Sequence, residues 1–414
     1  MTAYEKLPAG VTLDVKPFKA HVAEEKLQNF RKLLELSPIA PAVFENTNAG
    51  RRYGIQRDWL QNAKQVWLNT FNWRQHEDRI NSFPNFKAAV KDAEGNTIEI
   101  QFLALFSERS DAVPITFLHG WPGSICDFLD ILDILKQRYS PGDLPYHVII
   151  PSLPGYAYSS GPPVETDYGV DVAAGALNSL MVGLGFGSGY LAQGGDLGSF
   201  ISRFLAMSYD SCKGIHLNMM GMPPLDNPDE LPTDELEKRA LQRATEFLDT
   251  GYAFALEQGT RSATIGLALS SSPLAMLSWI GEKILEWTDE DPPLEKILES
   301  VTLYWLTDTV PRAMYHNRGA GNPDEKPKIA RTSVVTKLTA LKLPYIEKPC
   351  GYSMFAHEIV PAPKSWAAKS CNLVSYNQHD SGGHFPAMEK PNELIADVEE
   401  YIKKAWKVAD KQGS

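Results

Sequence analysis

Residues 190–199 read YLAQGGDLGS, a short apolar run leading into Gly194-Gly195-Asp196-Leu197-Gly198. Gly194-x-Asp196-x-Gly198 has the small-x-nucleophile-x-small form of a strained strand-to-helix turn that exposes one side chain. The flanking positions need glycine because a Cβ there would collide with the neighbouring strand or helix. An ordinary glycine-rich loop can carry the same residues, so the other parts of a catalytic apparatus must decide the matter.

Such a turn works with an acid and then a histidine further along the chain. His384, in SGGHFPAME, stands just before the last helical stretch, where the base belongs, and Glu358, in MFAHEIVPAP, follows a strand-like segment from which it could orient the imidazole. A solvated surface carboxylate is the plainer reading of Glu358. Asp380 is the rival acid, but four residues before His384 in one loop it can hardly reach the far ring nitrogen. An oxyanion hole needs a second backbone N–H besides that of Leu197. HGWPGS, residues 119–124, supplies a turn after VPITFL in which the Trp121 N–H is available. Four separate pieces in the right order predict an α/β-hydrolase fold.

An aspartate in the nucleophile's place narrows the chemistry. A carboxylate is weak toward amides but can displace a leaving group at saturated carbon, forming an alkyl-enzyme ester. Water activated by His384 would then attack the Asp196 carboxyl carbon, with the oxyanion hole holding the tetrahedral intermediate formed on the enzyme's own side chain. Epoxide hydrolases and haloalkane dehalogenases both work this way. Dehalogenases of this type commonly carry Trp or Arg directly after the nucleophile; here that residue is Leu197, which favours the epoxide branch.

The elements that must position these residues can be read from the pattern of the chain. With 414 residues, 43% hydrophobic and 22% charged, the composition is that of an ordinary globular protein. The net charge of -11 without a Lys/Arg cluster argues against nucleic acid as a partner. Four dispersed cysteines argue against a disulfide framework or a structural zinc. No metal cluster or nucleotide loop is evident, so no cofactor is expected. The N-terminus lacks an apolar run for a signal peptide or membrane anchor, which makes a soluble cytoplasmic location the expectation.

Residues 1–85 form a first region, an N-terminal meander in which Trp59, Trp67 and Trp73 could share roughly one helical side and pack on the rest of the protein. In residues 86–221, short strands (TIEIQFLAL, VPITFL, HVIIPSL, GYLAQGG) alternate with helical stretches, implying a mostly parallel sheet. Across 222–335 the strand signal disappears, as expected of an all-helical cap over the sheet's carboxyl edge. Residues 336–414 return to the core with SCNLVSY and a closing helix.

With these residues in view, the chain resembles the soluble, microsomal-like epoxide hydrolases known from fungi. The resemblance covers nearly the whole chain: RDWL…FNWR…RINSFPNF, LFSERSDAVPITFLHGWPGS, PSLPGYAYSSGPP, GFGSGYLAQGGDLGS, SSSPLAMLSWIGEK and SGGHFPAMEKP. It implies Asp196 as nucleophile, His384 as base, Glu358 as acid, Trp121 and Leu197 as oxyanion donors, and a small lipophilic substrate; a homodimer fits the relatives. It also implies two cap tyrosines that hold and protonate the epoxide oxygen. In GYAFALEQGTRSATIG the expected position holds Phe254, and in VPRAMYHNRG it holds Asn317. Tyr252 and Tyr315 lie two residues upstream, about 200° round an α-helix, so neither is expected to replace the missing phenol. Asn317 can still donate a hydrogen bond, whereas Phe254 offers nothing polar.

Loss of one such donor typically costs ~2.7–4 kcal/mol, and loss of two less than double. Plain epoxides should therefore open slowly. Three readings remain: an epoxide hydrolase with a rearranged cap, using Tyr252, Tyr315, His316 or water as proton source; a relative repurposed for cyclisation, isomerisation or ester and lactone hydrolysis of a specialised metabolite; and a non-catalytic binding protein.

Overall fold

The computed structural model describes residues 3–220, 232, 234–318 and 344–412, with side chains to residue 407. The limits expected for the helical insertion, 222 and 335, lie outside the described residues.

Among the described residues the strands form one nine-stranded sheet: β1 (Lys16–Pro17), β2 (Asn85–Lys91), β3 (Thr97–Leu105), β4 (Val113–Leu118), β5 (Tyr146–Pro151), β6 (Tyr190–Gly194), β7 (Cys212–Leu217), β8 (Ile346–His357) and β9 (Cys371–Gly383), in the order β1-β2-β3-β5-β4-β6-β7-β8-β9. The first three pairings are antiparallel and the rest parallel. Sequence and structure agree in detail here. TIEI alternates exposed and buried where β3 is covered on one face, and the unbroken apolar runs VPITFL and YHVIIP are buried along their length at the centre.

From β4 the chain passes to β5 on one side, whereas β6 adds on the other. The crevice between the carboxyl ends of β4 and β6 is therefore a topological switch point, where open α/β sheets bind ligands. HGWPGS follows β4, Asp196 follows β6, Glu358 follows β8 and His384 follows β9.

Helices between Glu235 and Asn317 pack over this edge. Two carry clear start signals. Asp234 caps Glu235–Glu246 through the Leu236 and Glu237 N–H groups, at 3.0 Å each, and Ser272 caps Pro273–Trp287 with proline in the first turn. Two tryptophans of the first region pack on these helices: the Trp67 indole N–H donates to Thr302 Oγ1 at 2.9 Å, and Gly281 leaves room for the Trp59 ring. They do not lie on one helix, however. The helix Arg57–Asn69 ends, and Asn72 caps a second one, Trp73–Ile80, by accepting the Arg74 N–H at 3.1 Å. The four cysteines are free. Among the described residues no single helix is long and apolar enough to cross a membrane.

Candidate active site

Asp196 stands at the first turn of the helix Asp196–Ser208 with φ of 47°, in the left-handed region that non-glycine residues rarely enter. The flanking glycines are sterically required. A Cβ on Gly194 would overlap the Gly198 carbonyl, and one on Gly198 would overlap the Leu118 carbonyl at the end of β4. The turn is thus the strained elbow that its sequence pattern predicts.

The elbow presents the Asp196 carboxylate to two groups. The Trp121 N–H donates to Oδ1 at 2.7 Å, and His384 Nε2 stands 3.2 Å from Oδ2. Leu197 is the second residue of the helix, in which intrahelical bonding begins with the Ser199 N–H on the Gly195 carbonyl; its own N–H belongs to the unpaired first turn, which favours negative charge. On the far side of the imidazole, the Nδ1–H donates to Glu358 Oε1 at 2.8 Å. Glu358 is fully buried and not a solvated surface group, while Asp380 takes no part in this line. The His384 and Glu358 side chains are 0% exposed and that of Asp196 25%, so within this trio only the carboxylate is open to a ligand.

The charges reinforce one another. Burial alone would favour a neutral imidazole, but Glu358 and Asp196 outweigh it and raise His384 to about 10. Burial alone would likewise raise the Asp196 carboxyl; His384 and the Trp121 N–H hold it below the usual carboxylate range. Both neighbours thus favour the protonated imidazole.

The cap side is built differently. Phe254 stacks on the Trp121 indole, with centroids 5.2 Å apart and planes at 11°, and leans on Trp287 at 5.1 Å. The Lys283 ammonium lies 5.2 Å from the centre of the Phe254 ring. Trp287 meets the His384 ring edge-on at 5.1 Å, and its carbonyl accepts the His384 backbone N–H at 2.8 Å.

Asn317 Nδ2 donates to Gln258 Oε1 at 2.9 Å and stands 3.2 Å from His316 Nε2, while His316 Nδ1–H donates to the Ala313 carbonyl at 2.8 Å. Both amide hydrogens of Asn317 are therefore used within the cap, contrary to the expectation that it is free to donate to a ligand. His316 is held neutral: burial pushes it down, with Asp196 and the Ala313 carbonyl countering only in part.

The two upstream tyrosines sit beside local irregularities. Tyr252 follows a π-helical turn, Phe247–Gly251, and packs edge-on to Phe247 and Phe254, with centroids 6.3 Å away in each case. Tyr315 lies in a 3₁₀ turn, Met314–Asn317, where two residues make about 240° of rotation. Its ring meets Tyr168 edge-on at 5.2 Å, and its buried hydroxyl has no hydrogen-bond partner.

Sequence reasoning passed over Gln258, Trp287 and Asp127, all of which border the site. Gln258 had a signal: it lies four residues beyond Phe254 on one helix and so shares its face. Trp287 had none, because its partner His384 is 97 residues away in the chain.

Among the described residues no group of three His, Cys, Asp or Glu side chains is placed to hold a metal ion. Residues 15–128 match the family model described as "Epoxide hydrolase N terminus", and residues 113–273 match that of the "alpha/beta hydrolase fold". A Dothistroma septosporum protein named "Putative epoxide hydrolase" is 49% identical over 98% of this chain and 94% of its own. The structure of Aspergillus niger epoxide hydrolase superposes with a TM-score of 0.88 at 43% identity, covering 98% of this chain and 100% of that one. Epoxide hydrolase 1 of Sus scrofa is 28% identical over 94% of this chain and 88% of its own.

Proposed function

Since this chain belongs to the epoxide hydrolase family of the α/β-hydrolase fold, we propose that it opens epoxides through an alkyl ester on Asp196, and that its substrates are epoxides needing little acid assistance. The observation that carries this reading is the line Trp121 N–H, Asp196, His384, Glu358, with separations of 2.7, 3.2 and 2.8 Å.

In this reading Oδ2 attacks a ring carbon and Oδ1 stays with the Trp121 N–H. The C–O bond of the epoxide breaks and its oxygen takes a proton from solvent water. Esterification removes the Asp196 charge, which is one of the groups holding His384 protonated. His384 then releases its proton and can act as base toward water, with Glu358 stabilising the imidazolium that re-forms.

The cap is what restricts the substrate. Phe254 and Asn317 stand where the fungal relatives are expected to carry phenols, and the Asn317 amide is committed to Gln258 and His316. A developing alkoxide therefore meets a hydrocarbon ring and a neutral polar cluster. Epoxides activated by an adjacent aryl group or by an internal hydroxyl suit such a site better than plain alkyl epoxides.

The same feature favours a second reading, in which the retained nucleophile serves intramolecular ring closure, isomerisation, or ester or lactone hydrolysis of a lipophilic metabolite. A single turnover in H₂¹⁸O with enzyme in excess tests the first. The covalent epoxide reading predicts unlabelled diol and label in the Asp196 peptide; labelled diol with an unlabelled peptide would mean direct attack by water and sink it.

A further inference from the structure

We propose that Asp127 positions the water that hydrolyses the ester; the inference rests on the covalent reading above. A pocket of about 30 Å3 lies beside the elbow, lined by Asp127, Asp196, His384, Asn218 and Trp121 among others. On this measure one water occupies roughly 10–15 Å3, so the pocket suits one or two. It touches the carboxyl that becomes the ester and the base that must deprotonate the water, and Asp127 adds a second carboxyl to the same small volume.

Local structure holds that carboxyl in place. Asp127 lies in the 3₁₀ turn Ile125–Phe128, directly after the oxyanion turn. Ser124 Oγ accepts the Cys126 N–H at 3.1 Å, and the Ser124 N–H points back to Asp127 Oδ2 at 3.3 Å, a reciprocal cap. Gly123 is needed for this approach, since a Cβ there would overlap Oδ2. Burial pushes the Asp127 carboxyl up to about 7, against the Ser124 N–H, with Glu299 adding to the rise and Lys296 and His384 opposing it. A carboxyl so poorly solvated gains from a donor such as a bound water.

In the hydrolytic step the water oxygen bonds to Asp196 Cγ as one proton passes to His384 Nε2. The other proton stays hydrogen-bonded to the Asp127 carboxylate, which fixes the lone pair toward Cγ. Charge collects on the oxygen held by the Trp121 N–H. Collapse breaks the bond from Cγ to the alkyl oxygen, and the departing alkoxide takes the proton from His384. The water oxygen remains in the Asp196 carboxyl, whose own proton restores the His384 imidazolium, while the proton His384 released to solvent after esterification balances the one taken up in ring opening.

The test follows ester formation and decay by quenched intact-mass measurement, with styrene oxide and enzyme in excess, in the parent, Asp127→Asn, Asp127→Glu and His384→Gln. The expected result is ester formation in Asp127→Asn within about 2-fold of the parent and decay slowed on the order of 10²-fold. kcat and KM should fall together, and Asp127→Glu should recover part of the loss. Unchanged decay in Asp127→Asn overturns the inference, as does an equal slowing of formation and decay, which would mark a merely structural role. Absence of any ester in folded His384→Gln, where Asp127 is intact, overturns the covalent reading itself.

Discussion

On the sheet side of the site, both Asp196 oxygens and both His384 ring nitrogens have fixed neighbours between 2.7 and 3.2 Å. On the helical side, Phe254 presents a ring buried against Trp121 and Trp287, and Asn317 spends its amide on Gln258 and His316. The two halves of the proposed reaction would place charge on opposite sides. Ester hydrolysis develops negative charge on an Asp196 oxygen, next to preorganised N–H donors; ring opening develops it on the epoxide oxygen, toward the cap. Fixed donors act on the step whose charge they face. The asymmetry therefore implies that ring opening of simple epoxides lacks the donor assistance that ester hydrolysis keeps.

The largest expected effect is on the nucleophile. Asp196→Ala should lower turnover by on the order of 10⁴-fold or more, measured in steady state, since no ester can form. Retained activity would mean that the sheet side is not where the chemistry occurs. Glu358→Gln should cost roughly 10²–10⁴ in kcat, because an amide cannot stabilise the imidazolium, and the ester should accumulate in a quenched-flow measurement.

Breaking the comparison from the other side, the pair Phe254→Tyr and Asn317→Tyr should raise kcat/KM for styrene oxide by about 10²–10³, the worth of one restored oxyanion donor. A decrease in a folded double variant would mean that the cap environment is adapted to a different reaction.

The smallest effect concerns stability. His384 is raised from 6.5 to about 10, so its contribution is complete below about pH 6.5 and is lost as pH rises through about 10. The melting temperature should fall across that window, and by less in Glu358→Gln than in the parent. Comparing the two slopes removes the other groups that titrate in the same range.

What was legible in the sequence follows from the same division. The elbow could be read because backbone sterics permit only glycine at Gly194 and Gly198, and such constraints survive as letters. The strands β3, β4, β5 and β6 could be read from period and burial. Glu358 could be placed by chain order, although its complete burial could not. The cap was less legible because its contacts join residues distant in sequence: Asn317 reaches Gln258 59 residues away, and Trp287 takes the His384 N–H. Helical arithmetic shifts there too: Tyr315 sits in a 3₁₀ turn, where two residues turn through about 240° rather than 200°. Asp127 was invisible as a site residue because only the fold brings its pocket against His384.

The most direct test of a competent nucleophile beneath an altered cap is intact-protein mass measurement of His384→Gln mixed with styrene oxide, with peptide mapping of any adduct. One adduct of protein plus epoxide is expected, located on Asp196, forming slowly and forming faster when Phe254→Tyr and Asn317→Tyr are added. No adduct in either folded variant, or an adduct on another residue, would contradict it.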